Sequence, residues 1–341
     1  RKFMYFDQNQ VISEVFHFDH SNENNEVFHI AYGVDKNFLF GCVTSITSIL
    51  LNNTKQEFHF HIFSDYLDDD FKKRIELLAK QYRSKISVYI VNCQELKRLP
   101  STKNWSYATY FRFIIADILY PAIDRLLYID ADIICKGSLG ELIKLDINEF
   151  LVAAVKEKDT SWWQKCAKRL EIDNLSQGYF NAGFLYINLE NWQKEDVSSK
   201  AMKLLEQESV KSKLDYLDQD LLNMIMVNNV FFLDKRYNCQ YSINYELKVP
   251  NGTYYKNPIE DSTIFIHYIG PTKPWHEWAG NYPCSKYFIE AKNNSPWKDS
   301  TLLSAKNANQ WRYCAKHKFH QGKNVAGLIG YFKYYWFKIV R

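Results

Sequence analysis

Apolar residues recur along the first third of the chain in blocks that alternate between strand-like and helix-like patterns. Residues 27–33, VFHIAYG, have the apolar and aromatic content of a buried strand, and residues 38–53, FLFGCVTSITSILLNN, are long enough for an apolar helix. The alternation continues with predicted strands at 58–65 and 86–92 and predicted helices at 68–83 and 106–119. Strands that alternate with helices of this length predict βαβ units, and therefore an α/β fold with a mostly parallel central sheet.

The same patterning predicts three segments. Residues 1–26 are polar and rich in Asn toward their end, which predicts a partly ordered lead-in. Residues 27–280 carry the alternating strands and helices, and we assign them to the main domain. Residues 281–341 are predicted to form a helical, basic, C-terminal region.

The composition is typical of a globular protein, since 46% of the 341 residues are hydrophobic and 16% are aromatic. Seven cysteines without a CxxC pair, and no secretory signal at the N-terminus, predict a reduced, cytoplasmic protein. No apolar run approaches the roughly 18 residues of a membrane span.

The net charge of +4 conceals an uneven distribution, because residues 300–341 contain eight Lys or Arg and no acidic residue. This tail is also rich in Tyr, Phe and Trp, which predicts a surface for an anionic partner, either lipid or nucleic acid. We favour lipid. Six apolar residues of the tail are spaced as one helical stripe: Val325, Leu328, Ile329, Phe332, Trp336 and Ile339. The alternative is a helix whose apolar stripe packs on the protein's own core.

Paired carboxylates end a predicted buried strand in RLLYIDADIICKG, at Asp130 and Asp132. Two neighbouring carboxylates repel each other and resist burial, so a divalent cation is a common compensation. Their oxygens suit Mn²⁺ or Mg²⁺ bridging a diphosphate. The alternative is a strand that surfaces into a solvated turn closed by Gly137.

Two further motifs follow predicted strands. In AYGVDKNF, Gly33 permits close backbone approach, and Asp35 and Asn37 offer an acceptor and a donor for a base or a ribose. The alternative is a helix cap. In STIFIHYIGPTKPWHEW, a strand ends at His267, and Gly270 and Lys273 follow with the character of a phosphate site, although a single His after a strand is often structural. Imidazole beside carboxylates favours Mn²⁺ over Mg²⁺.

Two motifs in the second half contribute small and polar side chains. In GYFNAGFLYINLENW, the residues Asn181, Ala182 and Gly183 precede an apolar strand and leave room for a ligand. In YLDQDLLNMIMVNN, the residues Asp218, Gln219 and Asp220 precede an apolar helical stretch. The alternative for the second motif is an N-terminal helix cap followed by acids that the helix dipole favours.

Taken together and in this order, the motifs resemble those of the family-8 retaining glycosyltransferases, which have a GT-A fold. Within that family the chain resembles the bacterial lipopolysaccharide core α-1,3-galactosyltransferases and α-1,3-glucosyltransferases. The resemblance covers roughly residues 27–300. It is carried by AYGVDKNF, YFRFIIAD, YIDADI, YFNAGF, DQDLLN and HYIGPTKPWH.

The resemblance implies a role for each matching residue. A uridine pocket is implied at Gly33, Asp35, Asn37 and Phe38, and a metal site for Mn²⁺, with Mg²⁺ possible, at Asp130, Asp132 and His267. The remaining implied donor-binding residues are Arg112, Ala131, Asn181, Ala182, Gly183, Gly270 and Lys273. The implied catalytic residues are Asp218, Gln219 and Glu157, although the family often has Asp near position 157.

The resemblance implies transfer of a hexose, galactose in preference to glucose, from a UDP-sugar to the lipid-linked outer core of lipopolysaccharide. It implies a GT-A catalytic domain at 27–280 and a membrane-associating region at 281–341, peripheral on the inner face of the inner membrane. No residue is an evident nucleophile, so we favour front-face attack. A family-8 enzyme with another acceptor is an alternative.

Two proteins of other classes share single features with this chain. A phosphohydrolase of the haloacid dehalogenase type also has DxD after a strand, but it has Thr or Val where this chain has Ile134. A nucleic-acid-binding protein would use the basic tail and would leave the carboxylate motifs unexplained. We therefore predict no nucleic-acid partner.

Overall fold

Eight strands form the larger sheet of the computed structural model, within the residues it describes, 5–22, 26–99, 107–251 and 257–340. These strands are β1 Ile12–Asp19, β2 Val27–Val34, β3 Glu57–Ser64, β4 Lys85–Val91, β5 Arg125–Ile129, β7 Val152–Val155, β8 Phe184–Asn188 and β9 Val230–Leu233. A smaller sheet contains β6 Ile133–Cys135, β10 Cys239–Tyr241 and β11 Phe265–Tyr268.

The larger sheet is mixed, with the order β1-β4-β3-β2-β5-β8-β7-β9. The four neighbours β4, β3, β2 and β5 run parallel to one another, as the alternation of strands and helices predicts. β1 and β8 are antiparallel to their neighbours, and β7 and β9 are parallel to each other. Because parallel strands end at the same edge, the residues after β2 and β5, Asp35 and Asp130, lie along one edge of the sheet.

The helices connect the strands and supply much of the buried surface. They are α1 Gln8–Val11, α2 Leu39–Asn52, α3 Asp69–Gln81, α4 Cys93–Leu96, α5 Phe111–Leu119, α6 Gly140–Ile143, α7 Thr160–Leu170, α8 Leu189–Lys194, α9 Val197–Leu205, α10 Glu208–Lys211, α11 Leu217–Met226, α12 Lys286–Asn293, α13 Ala308–His320 and α14 Asn324–Ile339. α3 shows why such helices begin where they do, since the Asp68 carboxylate accepts a hydrogen bond from the Phe71 N–H at 2.8 Å.

The structure differs from the expected lead-in at residues 1–26. Residues 12–19 form β1, the edge strand that pairs antiparallel with β4. Most β1 side chains are exposed or half-buried, with Phe18 the buried exception, so the segment lacks the apolar alternation by which strands are recognised. The helix expected at 106–119 also begins later: Tyr107–Tyr110 is a 3₁₀ turn, and α5 starts at Phe111.

The chain divides into two compact units. Unit 1 contains Arg1–Cys42, Lys55–Ala131 and Leu139–Tyr237, and it includes the larger sheet. Unit 2 contains Val43–Thr54, Asp132–Ser138 and Asn238–Arg341, and it includes the smaller sheet. The division passes between Ala131 and Asp132, so the two carboxylates of the DxD sequence belong to different units.

The core of unit 1 contains side chains from the sheet and from α5, α8 and α11. Ala31 and Leu126 contribute from the strands, and Phe113, Trp192 and Leu221 from the helices, all of them buried. The seven cysteines lie in described segments and are free there. Among the described residues, no helix has the combined length and hydropathy of a membrane span.

α13 and α14 form a helical hairpin in unit 2, and α14 packs through glycine. A Cβ on Gly330 would lie 3.0 Å from the Ala315 Cα, and one on Gly327 would lie 2.6 Å from the Phe319 ring. The absence of side chains at these two positions therefore permits the close approach of the helices. The apolar stripe of α14 does not pack on the core, because Val325 is 75% exposed and Phe332 73% exposed.

We predict that Gly330→Val destabilises the hairpin by about 1 to 3 kcal/mol, because the added side chain must displace the backbone of Ala315. Thermal and denaturant unfolding of the full chain measures this loss. Leu328→Ala in the same helix is the control, since Leu328 is 66% exposed and should change stability by no more than about 0.5 kcal/mol. Equal unfolding curves for Gly330→Val and wild type would contradict the packing role of Gly330.

Candidate active site

One guanidinium connects three of the predicted site segments in unit 1. Arg112, in the first turn of α5, donates from Nη2 to Asp130 Oδ1 at 2.9 Å and from Nε to the Ala182 carbonyl at 3.1 Å. Its Nη1 forms an ion pair with Asp218. The guanidinium also lies over the Tyr128 ring, 4.7 Å from the ring centre, and Tyr128 Oη donates to Asp130 Oδ1 at 3.0 Å. Arg112 thus fixes both carboxylates in place.

Asp218 is a half-buried carboxyl whose charge depends on Arg112. Burial raises the pKa of Asp218, Arg112 opposes that shift, and the neighbouring charge of Asp130 adds to it, so that the pKa is raised overall. Asp218 lies in the first turn of α11, where the helix dipole favours a negative charge. Asp218 is therefore held as an oriented, partly neutralised carboxylate.

The side-chain amide of Gln219 is bound at both ends. Gln219 Oε1 accepts a hydrogen bond from the Ala182 N–H at 2.9 Å, and its Nε2 donates to Glu157 Oε2 at 3.4 Å. Glu157 is buried and also accepts from Asn181 Nδ2 at 2.7 Å. Asn181 in turn accepts from the Gly183 N–H at 2.9 Å. Five of the predicted residues thus form one hydrogen-bonded network, with Glu157 as its shared acceptor.

Asp220 and Arg169 hold the start of α11, a role that the sequence reasoning did not assign to them. The Arg169 guanidinium donates to the two oxygens of Asp220 at 2.7 and 3.0 Å, and Tyr179 Oη donates to Asp220 at 2.6 Å. Asp220 also accepts from the N–H groups of Asp215 and Tyr216, each at 2.9 Å. This fully satisfied carboxylate fixes the turn that presents Asp218 and Gln219. In the sequence, the second acidic residue of YLDQDLLN, Asp220, is the only sign of this role.

The predicted uridine residues lie at the end of β2. Asp35 caps the 3₁₀ turn Lys36–Phe38 by accepting from the Asn37 N–H at 2.9 Å, and burial raises its pKa. Asn37 is exposed, while Phe38 is half-buried. A Cβ on Gly33 would lie 2.7 Å from the Phe111 Cβ, so the close approach that Gly33 permits is to the start of α5.

A second set of predicted residues comes together in unit 2. Asp132 precedes β6, and His267 lies in β11, which pairs antiparallel with β6. His267 Nε2 lies 3.2 Å from Asp132 Oδ1, and Lys273 Nζ donates to Asp132 Oδ2 at 2.6 Å. Lys273 also donates to the Tyr268 carbonyl at 2.8 Å. The strand pairing therefore brings the carboxylate, the imidazole and the ammonium together.

The orientation of His267 suits a metal ligand. His267 Nδ1 lies 3.0 Å from Asn238 Oδ1, an oxygen that can only accept, so Nδ1 carries a proton and Nε2 is the ring nitrogen directed toward Asp132. Asp132 Oδ1 is buried and accepts no hydrogen bond from the described residues. When the imidazole is neutral, its Nε2 lone pair and this oxygen are two acceptors that face each other, an arrangement that a cation between them would stabilise.

Asp132 is ionised despite its burial. Burial alone would raise the pKa of Asp132, but the positive charges of Lys273 and of His267 in its protonated form lower it more strongly, so that its pKa lies below the usual range. Lys273 is itself positioned by His276, whose Nδ1 accepts from the Lys273 N–H at 2.9 Å. Burial, with the nearby charge of Lys273, lowers the pKa of His276 to about 3, which keeps this acceptor neutral.

Gly270 and Ala131 complete the set of predicted residues. Gly270 has φ +84°, a conformation that favours glycine, and a Cβ there would lie 2.9 Å from Ser242 Oγ. Ala131 is buried at the end of its segment of unit 1. In unit 1 the structure therefore brings together Arg112, Asp130, Glu157, Asn181, Ala182, Gly183, Asp218 and Gln219, and in unit 2 it brings together Asp132, His267 and Lys273.

We predict that Arg112→Gln lowers the free energy of unfolding by about 3 kcal/mol at neutral pH, because two carboxylates lose their shared cation. Without Arg112 the pKa of Asp218 rises further. The loss should therefore be largest above that raised pKa and should shrink as the pH falls below it, because Asp218 is then protonated in the folded variant and needs no cation. Denaturant unfolding at several pH values measures the difference.

Arg125→Gln is the matched control. Arg125 donates to Asn188 Oδ1 at 3.0 Å and to the Asn148 side chain, and neither acceptor titrates. Its loss of stability should therefore show no such dependence on pH. A loss for Arg112→Gln that stays constant between pH 8 and about pH 4 would contradict the coupling to Asp218.

Comparison with known proteins agrees with this geometry. The profile of Glycosyl transferase family 8 matches residues 29–279, and that of Glycosyl transferase family 8 C-terminal matches residues 282–338. The Lipopolysaccharide 1,3-galactosyltransferase of Salmonella typhimurium is 50% identical over 300 residues, 88% of each chain. The Lipopolysaccharide glucosyltransferase WaaO of Escherichia coli is 46% identical over 304 residues, 89% of this chain and 88% of the relative.

Solved structures show the same fold. The galactosyltransferase LgtC in complex with donor and acceptor sugar analogs superposes with a TM-score of 0.65 at 21% identity, and the match covers 84% of this chain and 100% of that chain. An active-site mutant of LgtC gives a TM-score of 0.64 at 22% identity over 79% of this chain and 96% of that chain. The fold is thus GT-A, as the motifs imply, and the chain belongs to glycosyl transferase family 8.

Proposed function

We propose that this glycosyltransferase moves a hexose, galactose in preference to glucose, from a UDP-sugar in α-1,3 linkage onto the outer core of lipopolysaccharide. The observation that carries the proposal is the buried Asp132 Oδ1 that faces His267 Nε2, because this acceptor pair suits a cation-bound diphosphate. The relatives named as lipopolysaccharide hexosyltransferases, at 50% and 46% identity, support the acceptor class. The preference for galactose and the 1,3 linkage follow the first of these relatives.

The residues present fit a divalent cation. Asp132 would supply a carboxylate oxygen that accepts no hydrogen bond from the described residues, and His267 would supply Nε2 of an imidazole that Asn238 orients. Asp130 is the third proposed ligand, on the ground of its spacing in the sequence. This mixed oxygen and nitrogen set favours Mn²⁺, with Mg²⁺ possible. When bound, the cation would neutralise the charge of the departing diphosphate. Lys273 would add a second positive charge for the phosphate oxygens.

The network in unit 1 would bind the donor sugar, with Gly33, Asp35, Asn37 and Phe38 as the proposed uridine contacts. Gln219 Oε1 is engaged by the Ala182 N–H, and the Asp218 carboxylate is engaged by Arg112. Neither oxygen atom is disposed to attack a sugar carbon as a free nucleophile. This arrangement supports front-face attack, in which the acceptor hydroxyl approaches the side that the diphosphate vacates and the diphosphate takes its proton. Glu157 would then position Asn181 and Gln219.

We predict that UDP release by the full chain with a truncated lipopolysaccharide core acceptor requires Mn²⁺ and is faster with UDP-galactose than with UDP-glucose. Asp132→Asn should lower transfer by at least about a hundredfold, because it removes a proposed ligand and leaves a buried neutral amide in its place. Asp261→Asn, an exposed residue of the same unit, should keep wild-type turnover.

The outcomes separate the parts of the proposal. Faster release from UDP-glucose would assign a glucosyltransferase and overturn the donor preference alone. Turnover that survives a chelator and Asp132→Asn would overturn the metal site. Transfer to an unrelated acceptor with no transfer to the lipopolysaccharide core would favour the alternative of another family-8 hexosyltransferase.

We further propose that α14 places the enzyme on an anionic membrane, peripheral on the inner face of the inner membrane, where a lipid-linked acceptor is available. Its apolar stripe is exposed along its length, from Val325 at 75% to Ile339 at 78%. Lys333 and Lys338 are exposed on the same helix, and no acidic residue follows Asp299. Each basic residue at an anionic leaflet contributes about 1 kcal/mol, and Trp336 suits the depth of the headgroups.

We predict that the combined substitution Leu328→Ser, Phe332→Ser and Trp336→Ser abolishes cosedimentation with anionic liposomes and leaves the fold intact, because all three side chains are more than half exposed. Transfer to a soluble acceptor should be unchanged. Leu77→Ser, at a half-exposed position of α3, is the control and should sediment as wild type does. Cosedimentation of the triple variant at the wild-type level would overturn the membrane role of α14. Truncation after residue 310 cannot replace this triple substitution as a test of α14, because it would also remove the buried residues Cys314, Ala315 and His317 of α13.

A further inference from the structure

Three histidines lie side by side on one face of the larger sheet, near the beginning of β2 and β3. His29 of β2 is in register with His59 of β3, and His61 follows two residues later on β3. Side chains two residues apart on a strand point to the same face, so the three imidazoles form one patch. One nitrogen of each ring lies within 4.8 Å of the corresponding nitrogens of the other two. All three histidines belong to unit 1.

The spacing of the rings suits a metal ion with nitrogen ligands. His29 Nδ1 and His61 Nε2 are 3.0 Å apart and form a hydrogen bond in which one ring donates to the other, and a metal bound between them would replace this hydrogen bond. In a tetrahedral zinc site with Zn–N bonds of 2.0–2.1 Å, two ligand nitrogens are about 3.3 Å apart. Small rotations of the His59 ring, which lies 3.8 Å from that of His61 between centres, would bring the third nitrogen into place. The backbone of two paired strands thus supplies most of the geometry.

Each of the two rings on β3 has a partner that fixes its orientation. His61 Nδ1 lies 2.8 Å from Tyr89 Oη, and His59 Nε2 lies 2.7 Å from Ser87 Oγ. Tyr89 and Ser87 both belong to β4, the next strand of the sheet. Metal-binding histidines commonly bond through the second ring nitrogen to an outer group of this kind. Nε2 of His61 and Nδ1 of His59 are then the nitrogens directed to a metal.

The three imidazoles are neutral at physiological pH, which is the form that binds metal ions. Burial lowers the pKa of His29 to about 4 and that of His59 to about 3, and the charge of Lys85 adds to both shifts. Burial also lowers the pKa of His61 well below its usual value. No alkaline pH is therefore required to keep the cluster uncharged, and each neutral ring has one nitrogen with a lone pair at pH 7.

An unsatisfied carboxylate lies beside the cluster. Glu57 is two residues before His59 on β3 and therefore on the same face. Both of its carboxylate oxygens are buried and have no hydrogen-bond partner among the described residues. Such an arrangement costs free energy unless a cation is near, and the histidines supply none while they are neutral. A bound divalent ion would compensate this charge.

We propose that His29, His59 and His61 bind a divalent transition metal of the zinc class, with Glu57 as the neighbouring carboxylate. Imidazole ligands with one carboxylate are typical of Zn²⁺ sites in proteins. Asp35 lies six positions after His29, so the cluster lies about 20 Å along β2 from the edge that carries the proposed donor site. Its occupancy would tie β2 to β3 and stabilise unit 1 without taking part in hexosyl transfer.

The test uses the full chain without an affinity tag, freed of metal by a chelator and then titrated with Co²⁺ and Zn²⁺. We expect wild type to bind one equivalent more than His59→Gln, and the extra Co²⁺ to show the visible absorption of tetrahedral coordination. Zn²⁺ should raise the melting temperature of wild type and should raise that of His59→Gln less. A zinc-edge anomalous peak between the three rings in crystals of wild type is expected independently of any variant.

His20→Gln is the matched control. His20 lies just after β1 and its Nε2 is 2.6 Å from the Glu76 carboxylate, away from the cluster. It should bind as many equivalents as wild type does. His29→Gln, a second variant, should repeat the loss, with an affinity at least about tenfold weaker. Equal stoichiometry for wild type and both cluster variants, an equal loss in His20→Gln, or no anomalous peak at the three rings would overturn the proposal. Turnover with Mn²⁺ should survive His59→Gln, so failure here is distinguishable from failure of the proposed function.

Discussion

Carboxylates that are partly or fully withdrawn from water must be matched by cations, and this electrostatic constraint shapes the candidate residues of both units. In unit 1 a single guanidinium, that of Arg112, serves Asp130 and Asp218 together. In unit 2 the ammonium of Lys273 serves one oxygen of Asp132, and the other oxygen lies 3.2 Å from the Nε2 nitrogen of His267. A carboxylate left unmatched in a low-dielectric interior costs several kcal/mol. With a neutral His267, Asp132 therefore retains an unmet demand for positive charge.

The same constraint explains why so much of the network is devoted to orientation. Asp220, with five hydrogen bonds from Arg169, Tyr179 and two backbone N–H groups, touches none of the predicted ligand-binding side chains. It secures the turn from which Asp218 and Gln219 project. Glu157 secures Asn181 and Gln219 in the same way. Rigid placement of the groups proposed to meet a sugar would lower the entropy lost on binding, which is how outer residues of this kind would contribute to catalysis.

The sequence predicts elements with strong periodicity and residues with distinctive chemistry. β2 to β5, α2, α3 and α5 follow from their apolar patterns, whereas the short α4 is not predicted, and the order of the motifs leads to the family. β1 is not predicted, because most of its side chains are exposed or half-buried, and an exposed edge strand lacks the alternation of apolar and polar residues. The orientation of the His267 ring is not predictable from the local sequence, because it depends on Asn238, which is 29 residues away in the chain. Likewise, nothing local in the sequence indicates that Phe111 is the neighbour that requires Gly33 to be small.

The two faces of α14 serve different purposes: one packs against α13, and the other exposes large apolar side chains. Gly327 and Gly330 let it approach α13 closely, so the hairpin is held by backbone contact that needs no large apolar side chain. The large apolar and aromatic residues are thereby free to lie on the opposite side, where Phe332 and Ile339 are about three-quarters exposed. A helix that packed through its apolar stripe would bury that surface and leave the glycines in solvent. The observed arrangement is the reverse, and it leaves an apolar surface flanked by cations that only a partner of complementary character would cover.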